Sequence, residues 1–285
     1  MRKATIMSAV TGLTKAIDCH AHVFDADTIP ALAGDPYVYL RNELGTAQQY
    51  QAVLDVHGFS NAVLVNPYGA YGTDNRHMLK CIAAAGGRLR GVAAIAHDIT
   101  DAQLARLAEG GVVGVRYSLD YPGSPTFTGA EGARTLARVK ELGWFVQVVC
   151  AGDLLAPVLP ALRKSGVRTL IDHCGRPHPA KGLQHASFQA LLEFARSSDS
   201  AVKLSAPFRF SKAAWPYADA EPYVAALVET FTLERCVWGS DWPFSRTGAR
   251  FDYGPIFSCL TRWLPNAEDR RNVLWTTPSK FFGFV

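Results

Sequence analysis

Two histidines, His20 and His22, stand two positions apart where a short apolar run ends. In an extended segment, residues i and i+2 point to the same face, so both imidazoles can reach one point. Neutral imidazoles placed in this way can bind a metal ion or donate hydrogen bonds to an oxygen atom. Taken alone, the pair could equally be two surface histidines on a loop.

Two further polar residues end other apolar runs. His173 follows the run at 169–172, and Asp241 lies between two tryptophans after the run at 235–239. Singly, such a histidine is more often structural, and such an aspartate more often caps a helix or accepts backbone hydrogen bonds. Together with the histidine pair they could activate water, because a carboxylate can take its proton while imidazoles stabilise the resulting oxyanion.

These residues can meet only if the surrounding elements bring several strand ends together. The chain alternates short β-branched runs with longer segments of helical spacing, which is typical of βα units and a parallel sheet. Strands are predicted at 16–20, 62–66, 89–95, 112–117, 144–149, 169–173, 201–205 and 235–240. Helices are predicted at 46–57, 74–85, 101–109, 129–142, 154–164, 187–196 and 220–230.

A closed barrel explains these strands better than an open sheet. The runs at 112–115 and 146–149 are apolar on both faces, as expected for strands that helices cover outside and side chains fill inside. A doubly wound open sheet is the close alternative, but no GxGxxG motif follows the first strand. We therefore predict a single-domain (β/α)8 TIM barrel over residues 1–285.

The barrel prediction places the candidate residues at one rim, because active sites of such barrels lie at the carboxyl ends of the strands. The candidates at the ends of the first, sixth and eighth predicted strands are His20, His22, His173 and Asp241. Two segments longer than ordinary loops, 24–44 and 208–219, follow the first and seventh strands. We expect these segments to form walls or lids of a pocket.

Composition restricts the class of protein and its partners. Hydrophobic residues make up 48% of the chain and charged residues 19%, so a sizeable core can form. The net charge of +4 is spread along the chain without blocks of Lys or Arg, so we expect no nucleic acid partner. The six cysteines form no CxxC pair and are expected to be buried free thiols in a reducing compartment.

The apolar runs of the sequence also bear on where in the cell the protein is located. Residues 1–12 have no signal-peptide pattern, and no apolar run reaches the ~20 residues of a membrane helix. We therefore predict a cytoplasmic protein with a small-molecule substrate and no membrane partner. The sequence leaves a homo-oligomer open.

An ordered series of motifs carries a resemblance to a known family. The motifs are HAH at 20–22, YGTDN at 71–75, GVR at 114–116, DHCGRP at 172–177, WGSDWP at 238–243 and PSKFFGF at 278–284. The chain resembles the amidohydrolase superfamily, that is, metal-dependent hydrolases of the amidohydrolase-2 type. Within it, the series is similar to the branch of 2-pyrone-4,6-dicarboxylate lactonase and sugar lactonases. The resemblance extends nearly from end to end.

The resemblance implies a hydrolase that opens a lactone ring. It places His20, His22 and His173 around the reacting carbonyl and makes Asp241 the general base for water. It also implies that three arginines hold carboxylate or hydroxyl groups of the substrate, namely Arg116, Arg176 and Arg209. We expect further substrate contacts from Tyr71, Thr73 and Phe244.

The resemblance also bears on metal content. Two-metal members usually add a Lys or Glu on strand four and a His on strand five, where this chain has Arg116 and Gln147. A binuclear centre is therefore not expected. One divalent ion, zinc before others, or no metal at all remains open, since similar branch members include enzymes that work without metal. The implied ligands are His20, His22, His173 and Asp241.

Two departures from the family pattern affect the substrate. The pyrone dicarboxylate enzymes tend to carry more basic residues after the strand-four arginine, but this chain continues as YSLDYP at 117–122. It also has Phe244 where many relatives place a histidine. We therefore expect a less acidic or more apolar lactone. The candidate lining residues are Phe24, Tyr71, Tyr117, Phe208 and Phe244.

Two other functions compete with lactone hydrolysis. A nonoxidative decarboxylase of an aromatic or unsaturated acid would use a similar set of His and Asp. Such enzymes usually carry an early glutamate as a further metal ligand, which this chain lacks near its first strand. A barrel that binds a small acid without turnover should have lost one of the four site residues, and none is lost.

Overall fold

The computed structural model describes residues 15–25, 27–28, 30, 32–121 and 123–285. Within these residues, eight parallel strands form one sheet in the order of the sequence. They are β1 Ile17–Ala21, β2 Asn61–Val65, β3 Leu89–Ala93, β4 Val112–Ser118, β5 Phe145–Val149, β6 Thr169–Ile171, β7 Ser200–Ser205 and β8 Cys236–Gly239. Residues 1–12, for which no signal peptide is expected, lie outside the described residues.

The sheet closes between its first and last strands. Ala21 pairs with Trp242 in a parallel bridge just beyond β8. The His22 N–H donates to the Trp242 carbonyl at 2.7 Å, and the Asp241 N–H donates to the His20 carbonyl at 2.8 Å. The predicted (β/α)8 barrel is therefore confirmed.

Helices alternate with the strands around the barrel. The α-helices are Ala47–His57, Tyr68–Tyr71, Arg76–Ala84, Asp101–Glu109, Gly129–Glu141, Gly152–Leu155, Leu159–Ser165, Ala186–Ser197, Glu221–Phe231, Tyr253–Trp263, Ala267–Arg271 and Thr277–Phe282. Short 3-10 helices lie at Arg41–Glu43, Ala156–Val158, His173–Gly175, Pro179–Lys181, Pro207–Arg209, Ala218–Ala220 and Leu233–Arg235, with a π-helical turn at Asn272–Thr276.

Two sequence predictions differ from the structure for local reasons. The helix predicted at 154–164 is interrupted at Ala156–Val158, because Pro157 and Pro160 lack the backbone N–H that a continuous helix uses. The strand predicted at 169–173 ends at Ile171. His173 has a positive φ of 50° and begins a 3-10 turn, so the chain leaves the sheet before this residue.

Apolar side chains fill both the barrel and the layer around it. The interior cluster includes Ile17, Cys19, Val63, Val92, Phe145, Leu170 and Val237, with Phe282 from the last helix. A larger cluster joins the outer faces of the strands to the helices. All six cysteines are buried free thiols. Across the described residues, the helices lack the combination of length and apolarity needed to cross a bilayer.

Gly45 is expected to be intolerant of a side chain. A Cβ atom there would overlap the indole of Trp242, which stacks on buried Tyr50 with ring centroids 5.0 Å apart. Gly45→Ala should therefore lower the free energy of unfolding by about 1–3 kcal/mol. Gly254→Ala is the matched control, because a Cβ there has no neighbour closer than 3.8 Å. Chemical denaturation measures both, and equal stability of the two variants would contradict the prediction.

Candidate active site

His20 and His22 approach each other at the carboxyl end of β1. Their Nε2 atoms are 3.3 Å apart, and His22 Nδ1 lies 2.7 Å from the carbonyl oxygen of Val65. The pairing of β1 with β2 shifts register between Asp18 and Ala21. This irregularity lets His20 face the polar interior although it directly follows Cys19, which belongs to the apolar interior cluster.

Asp241 lies at the centre of the histidines. Its Oδ1 is 3.6 Å from His20 Nε2 and 3.5 Å from His22 Nε2, and its Oδ2 is 4.0 Å from His173 Nε2. His173 is held from its other side, where Nδ1 lies 3.0 Å from the hydroxyl of Ser205 on β7. The structure thus brings the three predicted histidines and the predicted aspartate to one point.

The backbone around Asp241 is fixed by a buried carboxylate. Asp18 accepts hydrogen bonds from the backbone N–H groups of His20 at 3.2 Å and Ser240 at 2.8 Å, and from the Tyr253 hydroxyl at 3.0 Å. Asp241 itself has a φ of 64°, in the left-handed region. Asp18 therefore ties the strand of the histidine pair to the turn that presents Asp241.

A buried polar network lies beneath the histidines. The ammonium of Lys203 on β7 is 2.9 Å from Gln147 Oε1, 3.1 Å from His20 Nδ1 and 3.3 Å from Asp172 Oδ1. Asp172 Oδ2 accepts hydrogen bonds from Gln147 Nε2 at 2.9 Å and Arg116 Nε at 3.0 Å. The layer that supports His20 thus has one member each from β4, β5 and β7, and Asp172 from directly after β6.

Burial sets the protonation states of this group. Desolvation lowers the pKa of His20 well below its ordinary value, with the Lys203 charge acting in the same direction. Burial also lowers the pKa of His173 to about 3. Burial alone would raise the pKa of Asp241, but the charge of Arg209 and the contacts with the surrounding histidines together hold that pKa well below the usual range. The site therefore combines the neutral imidazoles of His20 and His173 with an ionised carboxylate.

A cavity of about 440 Å³ opens above these residues. The residues that line it are His22, Asp35, Pro36, Tyr39, Pro67, Tyr68, Gly69, Arg116, Asp120, Tyr121, Val149, His173, Arg176, Arg209, Asp241, Ser245 and Arg246. The three predicted substrate arginines are therefore all at the cavity. His20 is fully buried behind this lining and contacts Asp241 from below.

Each predicted substrate arginine already has a carboxylate partner. Arg209 donates from Nε to Asp241 at 2.7 Å and from Nη2 to the Ser245 carbonyl at 3.0 Å. Arg176 forms an ion pair with Asp120. In the described residues, Arg116 is engaged through Nε alone, by Asp172. The terminal nitrogens of Arg116 are therefore the best placed to receive a ligand.

The long segment 24–44 supplies one wall of the cavity. Arg246, from the loop after β8, donates to both carboxylate oxygens of Asp35 at 2.6 and 3.1 Å. Its guanidinium also lies over the ring of Tyr37 at 4.2 Å and that of Tyr121 at 5.0 Å. This ion pair anchors the segment beside the cavity. From the other long segment, 208–219, Arg209 lines the cavity.

Three predicted substrate contacts lie outside the cavity lining. The Tyr71 hydroxyl accepts a hydrogen bond from the Asp25 N–H at 2.9 Å, and Thr73 is exposed on the turn that follows. Phe244 is buried and packs on Phe208. The other aromatic lining candidates, Phe24 and Tyr117, are also buried in packing.

Sequence reasoning missed several residues of the site. Tyr39, Tyr68 and Tyr121 supply the aromatic lining, and no local pattern distinguished them from packing aromatics. Lys203 did leave a signal, because it is a single charged residue inside an apolar strand run. A buried lysine needs a partner, so its position in a strand next to the sixth could have predicted the contact with Asp172.

The donor atoms at the centre suit one metal ion. His20, His22 and Asp241 offer ligand atoms within 4.8 Å of one another, and so do His20, Asp172 and His173. Two imidazoles and a carboxylate are ligands that zinc accepts. The residues present could therefore hold a metal.

The fold and this set of residues define an enzyme-like site at the mouth of a barrel, and comparison with known proteins gives its family. The model of the amidohydrolase family matches residues 17–284. The chain therefore belongs to the amidohydrolase family, and the resemblance inferred from its motifs is confirmed.

The chain is similar to curated and solved members of one branch. It is 30% identical to a 4-sulfomuconolactone hydrolase of Hydrogenophaga intermedia, over 94% of this chain and 88% of the relative. It is also 30% identical to a 2-pyrone-4,6-dicarboxylate hydrolase of Comamonas testosteroni, over 94% and 90% of the two chains. A solved structure from Acinetobacter baumannii, a probable 2-pyrone-4,6-dicarboxylic acid hydrolase with citric acid bound, superposes with a TM-score of 0.87. It is 28% identical, over 94% of this chain and 99% of that one. These relatives support the predicted class of lactone hydrolase.

Arg209 is expected to control the ionisation of Asp241. Arg209→Met removes the charge that lowers the pKa of Asp241, so that pKa should rise. Carboxyl ¹³C NMR titration measures the shift. Arg176→Met is the matched control, because Arg176 lines the same cavity but pairs with Asp120.

The stability of the two proteins provides a second readout. A carboxyl whose folded pKa lies below the unfolded value, about 4, stabilises the fold above that pH, and the effect is lost as the pH falls toward the folded pKa. The stability difference between wild type and Arg209→Met should therefore shrink below pH ~4. A difference that stays constant down to acid pH would contradict the assignment.

Proposed function

We propose that this protein hydrolyses the lactone ring of a small carboxylated or hydroxylated compound bound in the cavity at the barrel mouth. One observation carries the proposal: the Asp241 carboxylate lies at the cavity floor within 4.0 Å of three imidazoles, and its pKa is held well below the usual range. Such a carboxylate can act as a base toward water. The family membership and the names of the relatives support the same reaction.

The proposed reaction uses Asp241 twice. Its carboxylate takes a proton from water, and the water oxygen bonds to the ring carbonyl carbon to give a tetrahedral oxyanion. Neighbouring imidazole and guanidinium N–H groups stabilise this negative charge. When the ring C–O bond breaks, the protonated Asp241 returns its proton to the leaving oxygen. The product is a hydroxy acid, and Asp241 is ionised again.

A metal ion is compatible with this proposal. Zinc would be held by His20, His22 and Asp241, with His173 next to them. When bound, such an ion supplies a Lewis acid for the carbonyl oxygen. The identity of the metal as zinc, a cytoplasmic location, the absence of nucleic acid and membrane partners, and a homo-oligomeric state all stay predictions.

The cavity chemistry favours a substrate that carries an anionic group. Arg116 can present its terminal nitrogens to a carboxylate in a forked geometry that lysine could not reproduce. Tyr39, Tyr68 and Tyr121 offer faces for a flat or apolar ring. The two curated relatives described above are, by name, hydrolases of a sulfonated and a dicarboxylated lactone.

Loss of the base should abolish most turnover. Asp241→Asn keeps the size of the side chain but cannot take a proton, so we expect kcat/KM to fall about 10²- to 10⁴-fold. The assay is a panel of pyrone, muconolactone and aldonolactone substrates, with CO2 release measured in parallel. Asp153→Asn, an exposed carboxylate paired with Lys181, serves as the control and should match wild type. Decarboxylation without ring opening would favour the alternative activity instead.

Arg116 should be a determinant of affinity for anionic lactones. A hydrogen bond to a charged group contributes about 1.5–3 kcal/mol, so Arg116→Met should raise KM for a carboxylated lactone roughly tenfold to a hundredfold. The matched uncarboxylated lactone controls for disturbance of Asp172, and its KM should change little. Equal losses for both substrates would argue against a carboxylate contact.

A further inference from the structure

A chain of hydrogen-bonding groups runs through the histidine pair, and both of its ends have fixed roles. At one end Lys203 Nζ lies 3.1 Å from His20 Nδ1. In the middle, the Nε2 atoms of His20 and His22 are 3.3 Å apart. At the other end, His22 Nδ1 lies 2.7 Å from the Val65 carbonyl oxygen. A lysine ammonium can only donate, and a carbonyl oxygen can only accept.

The surroundings of Lys203 match an ammonium group. Its nitrogen faces three acceptors, which are Gln147 Oε1, His20 Nδ1 and Asp172 Oδ1, at 2.9, 3.1 and 3.3 Å. An ammonium has three N–H groups to donate. The side-chain amide of Gln147 directs its oxygen toward Lys203, because its nitrogen donates to the other oxygen of Asp172. Lys203 therefore makes two hydrogen bonds, to Gln147 and His20, and an ion pair with Asp172.

The two ends determine where the ring protons lie. If Lys203 donates to His20 Nδ1, the proton of neutral His20 is on Nε2. If His22 donates from Nδ1 to Val65 and carries a single ring proton, its Nε2 has a lone pair. The His20 Nε2–H group then donates to His22 Nε2, and the chain runs in one direction from Lys203 to Val65. In this arrangement, neither Nε2 atom has a lone pair free for a metal.

A hydrogen bond from His20 to Asp172 would favour the other tautomer of His20, with the proton on Nδ1. Its Oδ1 is 3.4 Å from His20 Nδ1 and has no well-aligned hydrogen-bond donor among the described residues. If His20 donated from Nδ1 to Asp172, its Nε2 would carry a lone pair. Two lone pairs would then face each other across 3.3 Å, an arrangement that favours a cation between them. A carboxylate behind an imidazole is also a common support for a metal-bound histidine.

We propose that Lys203 is a positioning residue that holds His20 as the Nε2–H tautomer and thereby weakens metal binding by the histidine pair. The inference concerns the same site as the proposed function and rests on it for its catalytic meaning. Lys203 and Asp172 compete for one nitrogen of His20, and Lys203 has the shorter contact. Its positive charge, which lies next to the ligand imidazole, acts against a bound cation in the same direction.

The first test is the tautomer of His20 in metal-free protein. Two-bond ¹H–¹⁵N correlation spectra of ¹⁵N-histidine-labelled protein distinguish Nδ1–H from Nε2–H, and a His20→Asn spectrum assigns the signal. We expect Nε2–H in wild type and Nδ1–H in Lys203→Met, where Asp172 is left as the partner. A wild-type Nδ1–H tautomer would overturn the proposal. This measurement decides the question even if Lys203→Met fails to fold.

The second test is zinc affinity, measured by competition with a chromophoric chelator. Changes in residues that support metal ligands alter affinity about 10- to 100-fold, so Lys203→Met should bind zinc more tightly than wild type by a factor in that range. Gln147→Leu is the matched control, because it disturbs the same buried network but leaves the Lys203 contact with His20. Lys203→Arg, which retains a donor, should keep the wild-type tautomer and affinity.

The outcomes separate this inference from the proposed reaction. Unchanged or weaker zinc binding in Lys203→Met, or an equal gain in Gln147→Leu, would overturn the inference. Neither readout uses turnover, so a protein that hydrolyses no lactone could still support it. Conversely, if the protein hydrolyses a lactone but its zinc affinity does not depend on Lys203, the proposed function is supported and the role proposed for Lys203 is wrong.

Discussion

The site depends on the joint between β1 and β8. Asp18, which is fully buried, accepts the N–H groups of His20 and Ser240, while the Asp241 N–H donates to the His20 carbonyl. The bonds made by Ser240 and Asp241 join residues more than 200 positions apart in sequence. Burial raises the pKa of Asp18, and its hydrogen bonds act against that rise. The same hydrogen bonds therefore close the barrel and bring Asp241 to the histidines.

A second constraint is the balance of charge inside the barrel. Buried charges are costly unless they are paired, and here Lys203 and Arg116 face Asp172 while Arg209 faces Asp241. His20 and His173, which lie between these pairs, stay neutral because they are buried. In the layer below His20, each buried charge therefore has an opposite partner before any ligand binds. The same layer holds the ring of His20 from behind.

The cavity above this layer is built from less regular structure. Its walls come from the segment 24–44 and from the loop after β8, which are joined by the ion pair of Arg246 with Asp35. Aromatic rings on the segment 24–44, on the helix Tyr68–Tyr71 and on the turn after β4 give the cavity flat apolar faces beside its arginines. In this barrel, as in others, the strands hold the reacting groups and the loops shape the ligand space.

The amino-acid pattern was enough to predict the architecture and the rim of the barrel at which the polar residues lie. Alternating strand and helix patterns are local signals, and parallel strands carry their carboxyl ends to one side. Accordingly, His20, His22, His173 and Asp241 could be assigned to one region from their positions alone. The arginines Arg116, Arg176 and Arg209 followed from motif resemblance.

Which side chains contact each other, in contrast, could not be predicted from these local patterns. Side-chain directions at the site depend on the register shift in β1, the positive φ of Asp241 and the course of segment 24–44. None of these features follows from the hydrophobic periods of two residues in strands and 3.6 residues in helices. For this reason Tyr71, Thr73 and Phe244 lie away from the cavity, while Tyr39 and Tyr121 line it. The contact of Lys203 with His20 spans 183 positions, and it exists only because the ring of strands is closed.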